Sequence, residues 1–231
     1  MGNSQEKEAV GRAAAKLVRD GDVVGLGTGS TAYFAVIALG ERVKAGLKII
    51  GIPTSVQTGD LARQLGIPLT TLDERPEIDI TIDGADEVDP QLNLVKGGGG
   101  ALLREKLVAQ ATAREVIVVD ESKLSPRLGT LHTLPVEVLH FGWRSQARFL
   151  ESLGAKYTVR QTAGGDEYRT DQGNMILDCD FGPIGDAAKL ARQLERRAGI
   201  VEHGLFLGLT HLVVVSSPSG IREMTGDRTK T

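Results

Sequence analysis

The chain carries a single cysteine, Cys179, among 231 residues, so no disulfide can form within it and a reducing cytosol is the compartment that fits. It has no apolar run approaching the ~20 residues of a membrane-spanning helix. Its opening, MGNSQEKEAV, has no signal-peptide core. Gly2 invites N-acylation, but Glu6 stands where that motif wants Ser or Thr. Nor is there an excess of positive charge. Lys and Arg number 27 against 30 Asp and Glu, a net charge of -3, which offers no basic face to nucleic acid and no footing on an anionic membrane. The histidines, His132, His140, His203 and His211, are scattered and join no cysteine cluster, so zinc is set aside and each reads as structural or exposed. Cys179 alternates with Met175, Leu177 and Phe181 along one face of a strand-like stretch, which makes it a core thiol rather than a nucleophile.

What is present is the composition of an ordinary globular protein, 41% hydrophobic and 25% charged, long enough for one large domain or a domain with a smaller companion. Helical spacing in QEKEAVGRAAAKLVRD is followed by strand-like DVVGLG, a helix in STAYFAVIALGERVKAG, and the strand LKIIGI. The helix SVQTGDLARQLG, the strands IPLTTL and EIDITIDG, the helix ALLREKLVAQAT and the strand REVIVVD continue the alternation. This order predicts an α/β fold, a doubly wound, mostly parallel (Rossmann-like) sheet that carries ligands at the carboxyl ends of its strands. GLGTGST, GIPTS, DGADE and DESK all fall at such ends.

After about Thr130 the pattern becomes strand, helix, two strands, helix, strand, from LPVEVLHF to EHGLFLGL. That predicts an inserted smaller ferredoxin-like α+β domain over 131–207, with 1–130 plus 208–231 as the main domain and LVVVSS returning to the main sheet. The polar end TGDRTKT reads as a fraying terminus.

Three stretches carry chemistry. In GLGTGSTA, Gly27, Gly29 and Ala32 match the dinucleotide form G-x-G-x-x-A, but the next strand ends in GIPTS without the acid that would hold a ribose. A single phosphate, received by backbone N–H groups and the hydroxyls of Thr28, Ser30 and Thr31, and a tight turn with a hydroxyl cap remain equally open there. In VKGGGGALLREK, four successive glycines carry a large conformational entropy cost unless the backbone wraps a ligand. Lys96 places a cation at the mouth of that loop, and Glu105 follows early in the next helix. A cation, backbone donors and a carboxylate can stabilise an oxyanion and move a proton. The bland alternative is a flexible loop before a helix with solvated charges. In DGADEVD, Asp83 and Asp86 flank Gly84, whose turn could aim both into one crevice. They suit paired acid–base work or a Mg²⁺ site, with Glu87 and Asp89 belonging to a solvated acidic turn. Lys123 in DESK, just past a strand, suits an anionic ligand or a pair with Glu121.

In this order and spacing, GLGTGSTA, DGADE, KGGGGALLREK and DESK closely resemble ribose-5-phosphate isomerase type A, and LPVEV, GNMILD and GLF extend the likeness over nearly the full chain. The resemblance implies interconversion of D-ribose 5-phosphate and D-ribulose 5-phosphate in the pentose phosphate pathway, with no metal and no cofactor. It implies Glu105 as proton acceptor. It implies that substrate is contacted by Thr28, Gly29, Ser30 and Thr31, by Asp83, Gly84, Ala85 and Asp86, by Lys96, Gly97, Gly98 and Gly99, and by Lys123. Asp83 is the candidate for ring opening and Asp86 for orienting hydroxyls, with Lys96 stabilising the growing charge. Family members are commonly homodimers and some are tetramers. Three rivals are an NAD(P)-dependent oxidoreductase using the Gly27 loop, a sugar-phosphate sensor without turnover, and a CoA transferase with a nucleophilic glutamate. The sensor has no need of Glu105 or Lys96.

Overall fold

The computed structural model describes residues 4–226, so Gly2 and most of the polar end lie outside the described residues. The chain divides into two compact units, one of residues up to Ala85, Arg104–Leu124 and Gly208 onward, the other of Asp86–Leu103 and Ser125–Leu207. The stretch 86–103 therefore goes with the smaller unit.

The first unit is built on a six-stranded sheet. Strands β1 (Val23–Leu26), β2 (Ile50–Pro53), β3 (Ile78–Gly84), β6 (Thr112–Asp120), β12 (Leu212–Ser217) and β13 (Gly220–Thr225) run in the order β13-β12-β6-β3-β1-β2. All neighbours are parallel except β12 and β13. Helices α1 (Ser4–Ala15), α2 (Ala32–Lys44) and α3 (Val56–Gln64) belong to this unit, together with most of α4 (Leu102–Gln110). The core joins Val10, Ala14 and Val18 to Leu26, Val36 and Leu39, and to Ile80, Ile82, Val116 and Val214. The inner strands are apolar on both faces, as a covered parallel sheet requires. Arg12 reaches Glu8 on its own helix and Glu41 on α2, fastening one helix to the other.

One expectation fails here, and one strand went unread. IPLTTL is no strand: it makes a single parallel bridge, Gly51 to Leu69. Pro68 brings no N–H to the ladder, and only its carbonyl and the Thr70 amide bond Gly51. The added edge strand, β13, was not anticipated. It is largely exposed, so it shows no buried face to read, and Arg222 and Glu223 suit an edge.

The second unit carries the expected ferredoxin-like arrangement. Strands β7 (Leu134–Val138), β8 (Lys156–Val159), β9 (Met175–Asp180) and β10 (Ile200–His203) form an antiparallel sheet in the order β10-β7-β9-β8, with α5 (Trp143–Ser152) and α6 (Ala187–Glu195) as the crossovers. Its core gathers Val136, Leu150, Met175, Leu177, Cys179 and Leu194. EHGLFLGL is not one strand. Gly204 lies against the carbonyl of Lys96 and donates to Pro135 O at 2.8 Å, and the strand is interrupted there. Beyond it β11 (Leu205–Phe206) joins β4 (Glu87–Val88) and β5 (Leu94–Val95) in a separate three-stranded sheet ordered β11-β5-β4.

Candidate active site

In the first unit, three stretches at the carboxyl ends of neighbouring strands are bonded together. Gly27 opens the loop after β1, and its amide continues the ladder to Ile82 O at 3.0 Å. The Thr28 amide then donates to Asp83 Oδ1 at 3.0 Å, and Gly84 N–H donates to the same oxygen at 2.7 Å. Asp83, the penultimate residue of β3, is buried. A side chain at position 27 would put its Cβ 2.3 Å from Asp83 Oδ1, so this close approach requires glycine.

The Thr28 hydroxyl faces three others after β2: Thr54 at 2.7 Å, Ser55 at 2.9 Å and Thr58 at 3.1 Å. Ser55 caps α3 by accepting from the Thr58 amide, and Thr58 donates to Gly27 O at 3.1 Å. The Thr28 side chain is thus tied into the scaffold. Gly29 and Ser30 are exposed, and the Gly29 carbonyl receives the Tyr33 amide at the start of α2. Lys7 on α1 donates to Ser30 Oγ at 2.8 Å. That cation was missed from sequence, where Lys7 sits in an unremarkable amphipathic helix 23 positions from its partner. A cavity of about 700 Å³ lined by Gly29, Ser30, Tyr33, Phe34, Thr58 and Leu61 adjoins the loop but includes neither Asp83 nor Glu105.

Glu105 stands in the first turn of α4 and is 5% exposed. Lys123 is half-buried at the end of a short 3-10 helix, Glu121–Lys123, which Asp120 caps through the Ser122 amide and hydroxyl. His211 packs against β6, its Nδ1 accepting from the Glu115 amide at 3.0 Å.

In the second unit, Asp86 Oδ2 accepts the Gly98 amide at 2.7 Å. A Cβ on Gly98 would come within 2.6 Å of the same carboxylate, which would have to move to admit it. Lys96 is not an exposed cation at the loop's mouth. It is buried, with Nζ 5.5 Å from the centre of the Phe206 ring, and its amide donates to Gly204 O at 2.9 Å. Gly98 and Gly99 remain exposed.

The acidic turn is not solvated beyond Asp86. Glu87 is fully buried and accepts the amides of Gly129, Thr130, Leu131 and His132 at 3.0–3.3 Å. Asp89 holds its own turn through the amides of Gln91 and Asn93. Both carboxylates replace water with peptide N–H groups, which is how a buried charge is kept. Gly84 is not the centre of a turn: it ends β3 without a left-handed φ.

Among the described residues no group of three or more His, Cys, Asp or Glu could hold a metal ion, and no helix is long and apolar enough to cross a membrane.

Residues 50–220 match the family model of ribose 5-phosphate isomerase A, also called phosphoriboisomerase A. The ribose-5-phosphate isomerase A of Desulfatibacillum aliphaticivorans is 58% identical over 220 residues, covering 94% of this chain and 96% of that protein. The enzyme of the same name from Chloroflexus aurantiacus is 56% identical over 226 residues, covering 96% and 95%. Among solved structures, a D-ribose-5-phosphate isomerase in complex with phospho-erythronic acid superimposes with a TM-score of 0.94 at 36% identity, over 97% of this chain and all of that one.

Proposed function

The chain belongs to the ribose 5-phosphate isomerase A family, and from that premise we propose how its residues share the work of interconverting D-ribose 5-phosphate and D-ribulose 5-phosphate. The chain is an isomerase, and the reaction moves one proton between C2 and C1 through an ene-diolate. Glu105 takes the proton from C2 of the open-chain aldose, the electron pair forms the ene-diolate, and the same carboxyl returns a proton to C1. The C2 hydroxyl gives up its proton and O1 gains one. The single observation that supports Glu105 is its burial in the first turn of a helix that begins directly after the glycine run. A placed base contributes about 10²-fold to 10⁴-fold.

Asp83 takes the proton of the anomeric hydroxyl as the bond from C1 to the ring oxygen breaks, and that oxygen gains a proton to become the C4 hydroxyl of the open chain. The fixed Oδ1 of Asp83 supports that role by orienting the carboxylate. Lys96 and the amides of Gly97 and Gly99 answer the charge that grows on the substrate oxygen, while Gly98, its amide held by Asp86, lines the loop beside them. Asp86, with Gly84 and Ala85, orients sugar hydroxyls. Gly29, Ser30 and Thr31 receive the phosphate with Lys7, a residue added by its bond to Ser30. Thr28, its amide held by Asp83 and its hydroxyl tied into the scaffold, shapes the loop against the substrate, and Lys123 meets the anionic substrate. The reading extends to the non-oxidative pentose phosphate pathway in the cytosol, without metal or organic cofactor, and to a homodimer, or a tetramer as in some relatives.

Incubation with ribose 5-phosphate and EDTA, followed by ketose absorbance, tests substrate, reaction and metal independence together. Glu105→Gln should then abolish turnover while sugar-phosphate binding persists. A near-normal kcat in that variant removes the proton-transfer role.

A further inference from the structure

We propose that Arg160 is a positioning residue for the reaction: through the carbonyls of Gly97 and Gly98 it fixes which way the glycine-loop amides point. The inference rests on the reading of that loop as an oxyanion donor.

Arg160 follows β8, and its backbone is bonded on both sides, the amide to Ile176 O at 2.9 Å and the carbonyl to the Tyr168 amide at 3.0 Å. Its guanidinium has two occupied edges. On one, Nε donates to Asp178 Oδ2 at 2.9 Å and Nη2 to Asp178 Oδ1. On the other, Nη1 donates to Gly97 O at 2.7 Å and Gly98 O at 3.1 Å. Only 14% of the Arg160 side chain and 19% of the Asp178 side chain is exposed. A planar fork held bidentately on one side presents its remaining N–H groups in a fixed direction.

The consequence runs through the peptide plane. In a trans peptide the carbonyl of one residue and the amide of the next point oppositely. With Gly97 O turned to Arg160, the Gly98 amide must face away, and it is found on Asp86 at 2.7 Å. With Gly98 O turned the same way, the Gly99 amide also faces away from Arg160, on an exposed stretch of chain. The Gly100 amide donates back to Gly97 O at 2.9 Å and shares the first peptide with Arg160, but glycine has no side-chain preference to hold the second, and the Gly98 carbonyl takes its direction from the Arg160 guanidinium. Tyr168 adds a wall: its hydroxyl lies 2.2 Å from where a Cβ on Gly100 would stand, and the Arg160 guanidinium is 6.0 Å from its ring. Asp178, in the core strand β9, anchors the whole device. A loop built only to be flexible has no use for such a clamp.

The test compares wild type, Arg160→Ala, Arg160→Lys and Asp178→Asn for kcat, inhibition by inorganic phosphate, and affinity for 4-phospho-D-erythronate, whose carboxylate stands in place of the reacting carbons. Arg160→Ala should lose about 10²-fold in kcat, the effect of one misdirected oxyanion donor. Affinity for the erythronate should fall in the same proportion, while inorganic phosphate inhibits as before. Millimolar guanidinium should restore part of the lost kcat and methylammonium should not. Arg160→Lys keeps the charge without the fork and should recover only a small part. If Arg160→Ala does not fold, Asp178→Asn should show the same pattern at smaller amplitude. Unchanged kcat in a folded variant, or an equal loss of phosphate and erythronate affinity, overturns the proposal. Failure of the site reading looks different: Glu105→Gln would then remain active, whatever Arg160 does.

Discussion

The amide of Thr28 and the carboxylate of Asp83 are joined by a 3.0 Å hydrogen bond, which couples the loop after β1 to the end of β3. Asp83 is therefore both a proposed proton carrier and a structural acceptor, and the two roles separate by substitution. Asp83→Asn keeps an oxygen for the Thr28 and Gly84 amides but cannot carry a proton. It should fold with a near-normal melting temperature and lose most of its turnover on the cyclic substrate. Asp83→Ala strands both amides and should also lose about 1–3 kcal/mol of stability. Calorimetry beside initial rates distinguishes them, and a fully active Asp83→Asn would leave the carboxylate a scaffold only.

Lys96 is buried against Phe206, so its charge is poorly screened by water. Lys96→Met keeps the length and removes the charge. It should weaken substrate binding and lower kcat by about 10²-fold to 10³-fold, the scale of one oxyanion contact. Survival of activity at saturating substrate would show that this cation does not act on the transition state.

Glu137 on β7 is fully buried, with Oε1 accepting from Thr170 Oγ1 at 2.8 Å and Asn174 Nδ2 at 2.9 Å. Burial holds its carboxyl above the ordinary range, against the lowering pull of those two bonds. Folding therefore favours the protonated form. Stability from this group is complete below about pH 4.3, the unfolded value, and is lost as pH rises through the higher folded value. Glu137→Gln has no such dependence. Its melting temperature relative to wild type should climb steadily above about pH 4.3. Parallel curves for the two proteins across pH 4 to 8 would contradict this.

Cys179 lies in the second core, and burial together with the neighbouring Asp178 charge pushes its thiol up to about 12. The native protein should resist alkylation at pH 8 and keep full activity in thiol reagents, reacting only once unfolded. Fast labelling of the folded protein by a chromogenic disulfide would refute the inert-thiol reading.

Most of the architecture was legible because it was written in local pattern. The inner strands are continuous apolar runs, and the βαββαβ order of the second unit is plain from alternating periods. What escaped depended on distant partners. β13 shows no buried face of its own, and IPLTTL looks like a strand until Pro68 is weighed against its neighbour. The same limit governs the site. DGADE and KGGGG announce themselves by residue type, but the burial of Lys96 depends on Phe206, and that of Glu87 on four amides in the loop 129–132. Lys7 and Arg160 were invisible because each acts on the loops through a contact with a residue far away in sequence.

The first unit's sheet is assembled from three separated pieces of chain, and β12, which pairs in parallel with β6, is made only after the whole of Ser125–Leu207 has been synthesised. A ribosome building this protein therefore releases a finished ferredoxin-like module while the six-stranded sheet still lacks its fifth parallel strand, with the apolar edge of β6 uncovered. Such long-range closure is slow and leaves sticky intermediates. Nascent chains truncated before Leu212 should lean on chaperones far more than the completed polypeptide does.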